Sequence, residues 1–212
     1  MFDELAKIGV VPVIKIDDPE KAVPLAMALL AGQLPCMEIT FRTSAAVEAL
    51  RRIRQEVPEM LLGAGTVLTT DQVDKAVDAG AQFIVSPGYN PRVVNHALAK
   101  NITIIPGCST PSDMELAIEA AITMVKFFPA EQAGGLDYIK AVSAPYSMLS
   151  FMPTGGINPQ NLAKYLSFKK ILACGGSWMA GPDLINAGDF AAITALSKEA
   201  ADIAAKAIAN RS

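Results

Sequence analysis

The chain carries the stretch Met124-Val125-Lys126-Phe127-Phe128-Pro129-Ala130-Glu131, in which one lysine stands inside an otherwise apolar run. The length and composition of this run predict a buried strand. Buried strands rarely carry an ammonium group, so Lys126 is either a reactive amine or a side chain that reaches solvent or pairs with a carboxylate. Apolar packing favours an uncharged lysine, which can attack a carbonyl carbon and form a Schiff base. This segment alone leaves both interpretations open.

Similar apolar segments recur along the whole chain, with starts about 20 to 27 residues apart and helix-like sequence in every gap. This repetition predicts parallel strands joined by helical crossovers. Eight such units predict an α/β protein of the (β/α)₈ TIM-barrel type, and an open doubly wound sheet is the alternative. The predicted strands cover residues 10–16, 37–42, 61–67, 83–86, 103–106, 124–128, 149–153 and 170–174.

Helix boundaries are marked by a capping side chain followed by a proline at the first helical position. The four marks are Asp18-Pro19, Asn90-Pro91, Thr110-Pro111 and Asn158-Pro159. No linker or low-complexity tract interrupts the pattern. We therefore expect residues 1–212 to form a single barrel domain, with a short N-terminal helix and a long C-terminal helix.

The composition excludes several classes of function. A net charge of −3 without a lysine or arginine cluster argues against nucleic-acid binding. No apolar run approaches the ~18 residues that span a bilayer, and no signal peptide is visible, so the cytoplasm is the default compartment. Three cysteines and one histidine give no metal or redox cluster, so we expect neither a metal nor a cofactor. His96 is predicted to be a surface or packing residue, and the cysteines small buried hydrophobes.

Polar and apolar residues alternate in the second predicted strand, Met37-Glu38-Ile39-Thr40-Phe41-Arg42. Period two places Glu38, Thr40 and Arg42 on one face. Because the apolar face packs against helices, the polar face points into the barrel, where active sites lie at the carboxyl ends of the strands. Three polar groups are costly in a core, which favours a functional site. A buried Glu38–Arg42 pair that only organises the barrel mouth is the structural alternative.

Other polar residues fall at the same carboxyl ends. The same parity turns Lys126 and Phe128 inward, while Thr66 and Thr154 follow the third and seventh strands. Lys15, at the end of the first strand, could add positive charge at the barrel rim, but an exposed edge lysine is the preferred interpretation.

Glycine pairs end the last two strands, in Thr154-Gly155-Gly156 and Gly175-Gly176-Ser177. Barrels commonly bind phosphate at these two loops, because glycine lets backbone N–H groups approach the anion. The two pairs together predict a phosphate site. The nucleotide-binding glycine motifs are missing from the sequence.

Several motifs, taken in order, resemble the 2-keto-3-deoxy-6-phosphogluconate (KDPG) aldolases, which overlap with the 4-hydroxy-2-oxoglutarate (KHG) aldolases. The resemblance extends from about residue 9 to residue 200 and is most specific at the Glu38 and Lys126 motifs. The motifs are Glu38-x-Thr40-x-Arg42-Thr43, Gly63-Ala64-Gly65-Thr66-Val67, Ser86-Pro87-Gly88, Pro106-Gly107, Lys126-Phe127-Phe128-Pro129-Ala130-Glu131, Pro153-Thr154-Gly155-Gly156 and Gly175-Gly176-Ser177-Trp178.

The resemblance implies a metal-independent class I aldolase, usually a homotrimer. Such an enzyme cleaves KDPG to pyruvate and glyceraldehyde 3-phosphate in the Entner-Doudoroff pathway, or KHG to pyruvate and glyoxylate. By the matching motifs, Lys126 would be the Schiff-base lysine and Glu38 the acid/base. Arg42 and Thr66 would hold the substrate carboxylate. Thr154 would contact the reacting oxygens, and Phe128 would pack beside the imine. The phosphate would be bound by Gly155, Gly156, Gly176 and Ser177.

Two rival functions use the same residues. A sugar-phosphate isomerase or epimerase would use Glu38 as its base and Lys126 only as an electrostatic group. A non-catalytic phosphate-binding barrel is less consistent with the sequence, because binding alone does not require a carboxylate beside an anion site.

Overall fold

Strands and helices alternate along the chain in the computed structural model, which describes residues 1–211. The strands are β1 (Val10–Ile14), β2 (Cys36–Thr40), β3 (Leu61–Gly65), β4 (Phe83–Val85), β5 (Thr103–Ile105), β6 (Met124–Phe127), β7 (Ser150–Pro153) and β8 (Cys174–Gly176). The helices are α1 (Phe2–Ile8), α2 (Ala22–Ala31), α3 (Ala46–Glu56), α4 (Thr70–Asp78), α5 (Pro91–Ala99), α6 (Pro111–Glu119), α7 (Gly135–Val142), α8 (Pro159–Leu166), α9 (Pro182–Ala187) and α10 (Phe190–Ala209).

The strands pair in parallel throughout, which confirms the predicted α/β class. Six of them form one sheet in the order β5-β4-β3-β2-β1-β8, and β6 pairs with β7 in a second. Isolated parallel bridges join the two sheets, at Gly107–Lys126 on one side and at Phe151–Ile171 and Thr154–Gly175 on the other. Neighbouring strands follow the order of the chain, whereas a doubly wound sheet reverses it, so that alternative is wrong.

The predicted helix starts are confirmed at three of the four sites. Asn90, Thr110 and Asn158 each accept a backbone N–H bond at the start of α5, α6 or α8, with proline following. Asp18 instead caps a 3₁₀ turn, Pro19–Lys21, and the α-helix begins only at Ala22. The four capped starts fix where the chain leaves the carboxyl ends of the strands.

The eighth strand begins later than predicted, at Cys174 instead of residue 170. The Lys170 amine donates to the carbonyls of Ser143 and Tyr146, at 2.6 and 2.8 Å, on the loop that follows α7. Ile171 makes only an isolated bridge to Phe151. The regular ladder with β1 therefore begins at Cys174, and the glycine pair belongs to the strand itself.

Apolar side chains form two separate clusters. The larger one fills the space between the strands and the helices around them. The smaller one lies on the opposite face of the strands, where Leu5 of α1 is fully buried among strand residues. Its members are Leu5, Val11, Cys36, Leu61, Phe83, Val85, Ile105, Met124, Met152 and Ala173. Helix α1 therefore covers this inner cluster, and the polar residues of the strands lie beyond it, toward the carboxyl ends.

The long helix α10 packs on α2 and α8. At the α2 contact, a Cβ added to Gly32 would lie 2.4 Å from the Cβ of Ser197, so a glycine is needed for the two helices to approach this closely. No helix within residues 1–211 is long and apolar enough to cross a membrane.

Candidate active site

Glu38 of β2 and Lys126 of β6 meet on the inner face of the strands. The Lys126 Nζ lies 3.5 Å from the Glu38 Oε1, with the lysine side chain 6% exposed and the carboxylate fully buried. The lysine therefore does not reach solvent but pairs with a carboxylate. Within residues 1–211, neither Glu38 oxygen has a hydrogen-bond partner. A buried carboxylate without hydrogen bonds is energetically costly. Such groups call for an explanation, and a catalytic role is one of them.

The space for the Glu38 side chain is provided by Gly65 on the neighbouring strand. Gly65 pairs with Thr40 in the β2–β3 ladder, and a Cβ added to it would lie 2.0 Å from the Glu38 Oε1. Side chains cannot approach this closely, so any larger residue here must displace the carboxylate.

If Glu38 acts as the sequence motifs imply, Gly65→Ala should lower kcat by roughly 10-fold or more, because moving a reacting group by about 1 Å can cost up to ~10²-fold. Steady-state kinetics, with circular dichroism to check folding, measure the effect. Gly88→Ala is the matched control, since a Cβ there would meet nothing within 4 Å. Equal activities for the two variants would contradict the assignment of Glu38 to the reaction centre.

Arg42 does not pair with Glu38. The strand ends at Thr40, and the Arg42 backbone N–H turns back to donate to the Thr40 carbonyl at 2.8 Å. The Arg42 Nε donates to the Thr40 hydroxyl oxygen at 3.2 Å. The structural alternative, a buried Glu38–Arg42 pair, is therefore wrong.

A cavity of about 160 Å³ opens at the carboxyl ends of β1, β6, β7 and β8. Among the described residues, those that line it do not include Lys126 or Glu38, but the Lys126 Nζ lies 5.5 Å from the centre of the Phe128 ring in its wall. The cavity brings together seven residues singled out in the sequence: Arg42, Phe128, Thr154, Gly155, Gly156, Gly176 and Ser177. Gly175, a member of the second predicted glycine pair, also lines it. Val13 and Ile157 line it too and were missed, although the inward parity of β1 predicts Val13 and Ile157 directly follows the first glycine pair.

The loop after β7 has a backbone that only glycine adopts without strain. Gly155 and Gly156 have φ of 98° and 79°, in the left-handed region. The loop is held by the chain after β6: the Ala130 N–H donates to the Thr154 carbonyl at 2.8 Å, and the Glu131 N–H to the Gly155 carbonyl at 3.2 Å. The glycine pair therefore presents a fixed stretch of backbone to the cavity.

Thr66 follows β3 and has a φ of 56°, which is a genuine outlier for a β-branched residue. Backbone strain of this kind costs about 1–3 kcal/mol and is found mainly at functional sites. Among residues 1–211, those that line the cavity do not include Thr66. It adjoins Gly65, and so lies on the Glu38 side of the site.

The remaining candidates lie apart from the cavity. Lys15 pairs with Asp17 at 2.7 Å and is 40% exposed, as the edge interpretation predicted. His96 contacts Asp74 at 2.9 Å near the surface. Cys36, Cys108 and Cys174 are buried and unpaired by disulfides, as predicted. Burial raises the pKa of the Cys108 thiol to about 12, which makes it a poor nucleophile at neutral pH.

The fold and this buried lysine–carboxylate pair beside an open cavity define an enzyme of the parallel α/β class. Residues 2–196 match the family model described as KDPG and KHG aldolase. The chain is 51% identical over 203 residues to a 2-dehydro-3-deoxy-phosphogluconate aldolase of Treponema pallidum. The aligned region covers 96% of this chain and 97% of the relative. It is 45% identical over 193 residues to the KHG/KDPG aldolase of Escherichia coli, covering 91% of each.

Solved structures agree with these relatives. A KDPG aldolase from Legionella pneumophila, with pyruvate captured as a covalent carbinolamine intermediate, superposes with a TM-score of 0.90 at 36% identity, covering 93% of this chain and 97% of the other. A 2-keto-3-deoxy-6-phosphogluconate aldolase from Zymomonas mobilis with 3-phosphoglycerate gives 0.87 at 41% identity and 94% of each chain. This chain belongs to the KDPG and KHG aldolase family. It is an aldolase, a lyase that acts on carbon–carbon bonds.

Proposed function

We propose that the chain cleaves 2-keto-4-hydroxy acids by Schiff-base chemistry at Lys126. The observation that carries the proposal is the buried Lys126–Glu38 pair, 3.5 Å apart, next to the 160 Å³ cavity. A lysine and a carboxylate at this distance supply a nucleophile and a proton carrier in one place. The Legionella relative, which holds pyruvate as a covalent carbinolamine, supports the same chemistry here.

The reaction begins when the Lys126 amine adds to the C2 ketone and loss of water gives a protonated imine. Glu38 then takes the proton of the C4 hydroxyl, directly or through one water. The C3–C4 bond breaks, its electron pair moves into the imine to form an enamine, and the aldehyde leaves. Glu38 then gives its proton to C3 of the enamine, and hydrolysis of the resulting imine releases pyruvate and restores the amine.

Binding groups are assigned by their position around the cavity, except Thr66, which does not line it and is assigned by the family motif. The planar Arg42 guanidinium suits the carboxylate of the keto acid, because its fork can bind both oxygens. We assign Thr66 to the same carboxylate, Thr154 to the reacting oxygens and Phe128 to the imine. Backbone N–H groups at Gly155, Gly156 and Gly176, with the Ser177 hydroxyl, bind the distal phosphate.

The same proposal includes the finer architecture. We infer that the eight strands close into a complete (β/α)₈ barrel, with residues 1–212 as one domain. The support is the consecutive strand order together with the isolated bridges on both sides of the β6–β7 pair. Family resemblance further implies a homotrimer, which analytical ultracentrifugation tests directly. We also propose a cytoplasmic location.

The proposed chemistry is tested by incubating the protein with pyruvate and sodium borohydride, followed by intact-mass measurement and peptide mapping. A single reduced pyruvate adduct on Lys126 is the expected result. If folded protein yields no adduct, the Schiff-base mechanism is overturned, and an isomerase that uses Glu38 as its base becomes the next hypothesis.

The aldehyde partner is distinguished by comparing kcat/KM for KDPG and KHG in wild type and in Ser177→Ala. KDPG carries the phosphate and KHG does not, so the second substrate is an internal control. We expect the variant to lose about 10-fold in kcat/KM for KDPG, the usual effect of removing one hydrogen bond to a charged group, and to keep its KHG activity. An equal loss on both substrates would contradict a phosphate role for this loop.

A further inference from the structure

The Thr40 side chain lies at the carboxyl end of β2, between the β1 backbone and Arg42. It is 1% exposed, and its hydroxyl donates to the Ile14 carbonyl at 2.7 Å. A hydroxyl has a single proton to donate, so the remaining lone pairs of the Thr40 Oγ1 can only accept. The Arg42 Nε donates to that oxygen at 3.2 Å. The Ile14 carbonyl therefore sets the direction in which the Thr40 hydroxyl bonds.

Arg42 is otherwise unrestrained. Over residues 1–211 its side chain makes no ion pair, and its bond to Thr40 is the one side-chain hydrogen bond it forms. Its backbone N–H also returns to Thr40, at the carbonyl oxygen. An arginine side chain is long, and ordering it for binding carries an entropic cost unless a second group holds it in place.

We propose that Thr40 is a positioning residue that orients Arg42 toward the substrate carboxylate. With the Nε held by Thr40, the two Nη atoms are left to face the cavity that Arg42 lines. Those two atoms form a fork that matches the two oxygens of a carboxylate. This inference rests on the proposed function, in which Arg42 binds the carboxylate of the keto acid.

The test compares Thr40→Val, which keeps the shape of the side chain and removes its hydroxyl, with Thr40→Ser, which keeps the hydroxyl. The readout is the pyruvate concentration that gives half-maximal borohydride trapping, together with the KM and kcat for cleavage. We expect Thr40→Val to raise the half-saturating pyruvate concentration and the KM about 10-fold while changing kcat less. Thr40→Ser should restore most of the affinity.

Thr43 provides a matched control on the same turn. Its hydroxyl donates to the Ile16 carbonyl at 2.5 Å, so it also links this turn to the segment after β1, but it is not the hydroxyl that accepts from the Arg42 side chain. A purely structural role for Thr40 predicts that Thr40→Val and Thr43→Val lower the melting temperature alike and leave the pyruvate concentration dependence unchanged. That result would overturn the proposal. If Thr40→Val does not fold, Thr40→Ala serves in the same comparison.

A double-mutant cycle with Arg42→Ala makes the test specific to this pair. If Thr40 acts through Arg42, Thr40→Val should have no further effect on pyruvate affinity once Arg42 is removed. Additive effects would contradict the inference. Failure of the proposed function looks different, because wild-type protein would then give no pyruvate adduct at all.

Discussion

Lys126→Met should reduce turnover by roughly 10⁴-fold or more and abolish the pyruvate adduct. Methionine has nearly the length of lysine and fits apolar surroundings, but it has no nitrogen to form an imine, so the covalent route is lost. Removing a nucleophile that acts together with its neighbours typically costs this much or more. Steady-state assays and borohydride trapping followed by intact-mass measurement test both parts of the prediction.

The effect of Lys126→Met on the stability of the fold must be separated from its effect on turnover. The substitution removes the positive partner of the fully buried Glu38, and breaking one side of such a pair costs about 3–5 kcal/mol in free energy of unfolding. The assays are therefore run well below the melting temperature of the variant.

Lys170→Met is the matched control, because the Lys170 amine also has a structural partner, the carbonyls of Ser143 and Tyr146, but lies outside the cavity. Lys170→Met should lower the stability of the fold but still turn over substrate and form the reduced pyruvate adduct. Normal turnover by folded Lys126→Met would exclude the mechanism.

The sequence predicts the position of the lysine but not its partner. A period of two along β6 turns Lys126 inward, and local sequence alone supports that inference. Whether the amine reaches solvent or meets a carboxylate depends on Glu38, which belongs to a strand far away in the chain. Only the assembled fold brings the two side chains within 3.5 Å.

Arg42 lies just beyond the end of the strand that was predicted to include it. Alternation puts Glu38, Thr40 and Arg42 on one face, and this holds as far as Thr40, where the strand ends. Beyond it the backbone turns back on itself, so the position of Arg42 follows from the turn and from its bond to Thr40. The prediction that Arg42 belongs to the site is consistent with the cavity that it lines, although the strand ends two residues before it.

The periodicity of the sequence also does not predict the strained backbone at Thr66 or the close contact between Gly65 and Glu38. Thr66 adopts a left-handed conformation that its residue type disfavours, so propensities point away from what the fold imposes. Gly65 is informative only once Glu38 is known to occupy the space that a Cβ would fill. The Gly65 contact joins two neighbouring strands, and the sequence of a single strand does not encode it.

Glu38→Gln should lower kcat by ~10²–10⁴-fold, the usual range for a general acid–base group. Glutamine has nearly the same shape, so it fits the space beside Gly65, but its amide does not exchange protons as a carboxylate does. Both oxygens of Glu38 are free of hydrogen bonds to residues 1–211, which leaves the carboxylate available to the substrate. Glu20→Gln, at a surface carboxylate paired with Arg52, is the control and should be unchanged.

Two readouts with pyruvate alone identify which step depends on Glu38. Imine formation requires the Lys126 amine, so Glu38→Gln should still give the borohydride adduct. Conversion of the imine to the enamine requires removal of a C3 proton, so exchange of the pyruvate methyl protons with deuterated water, followed by proton NMR, should slow as much as kcat does. A variant that changes only KM and exchanges at the wild-type rate would make Glu38 a binding group. The acid–base role would then have to belong to another residue near the Lys126 amine.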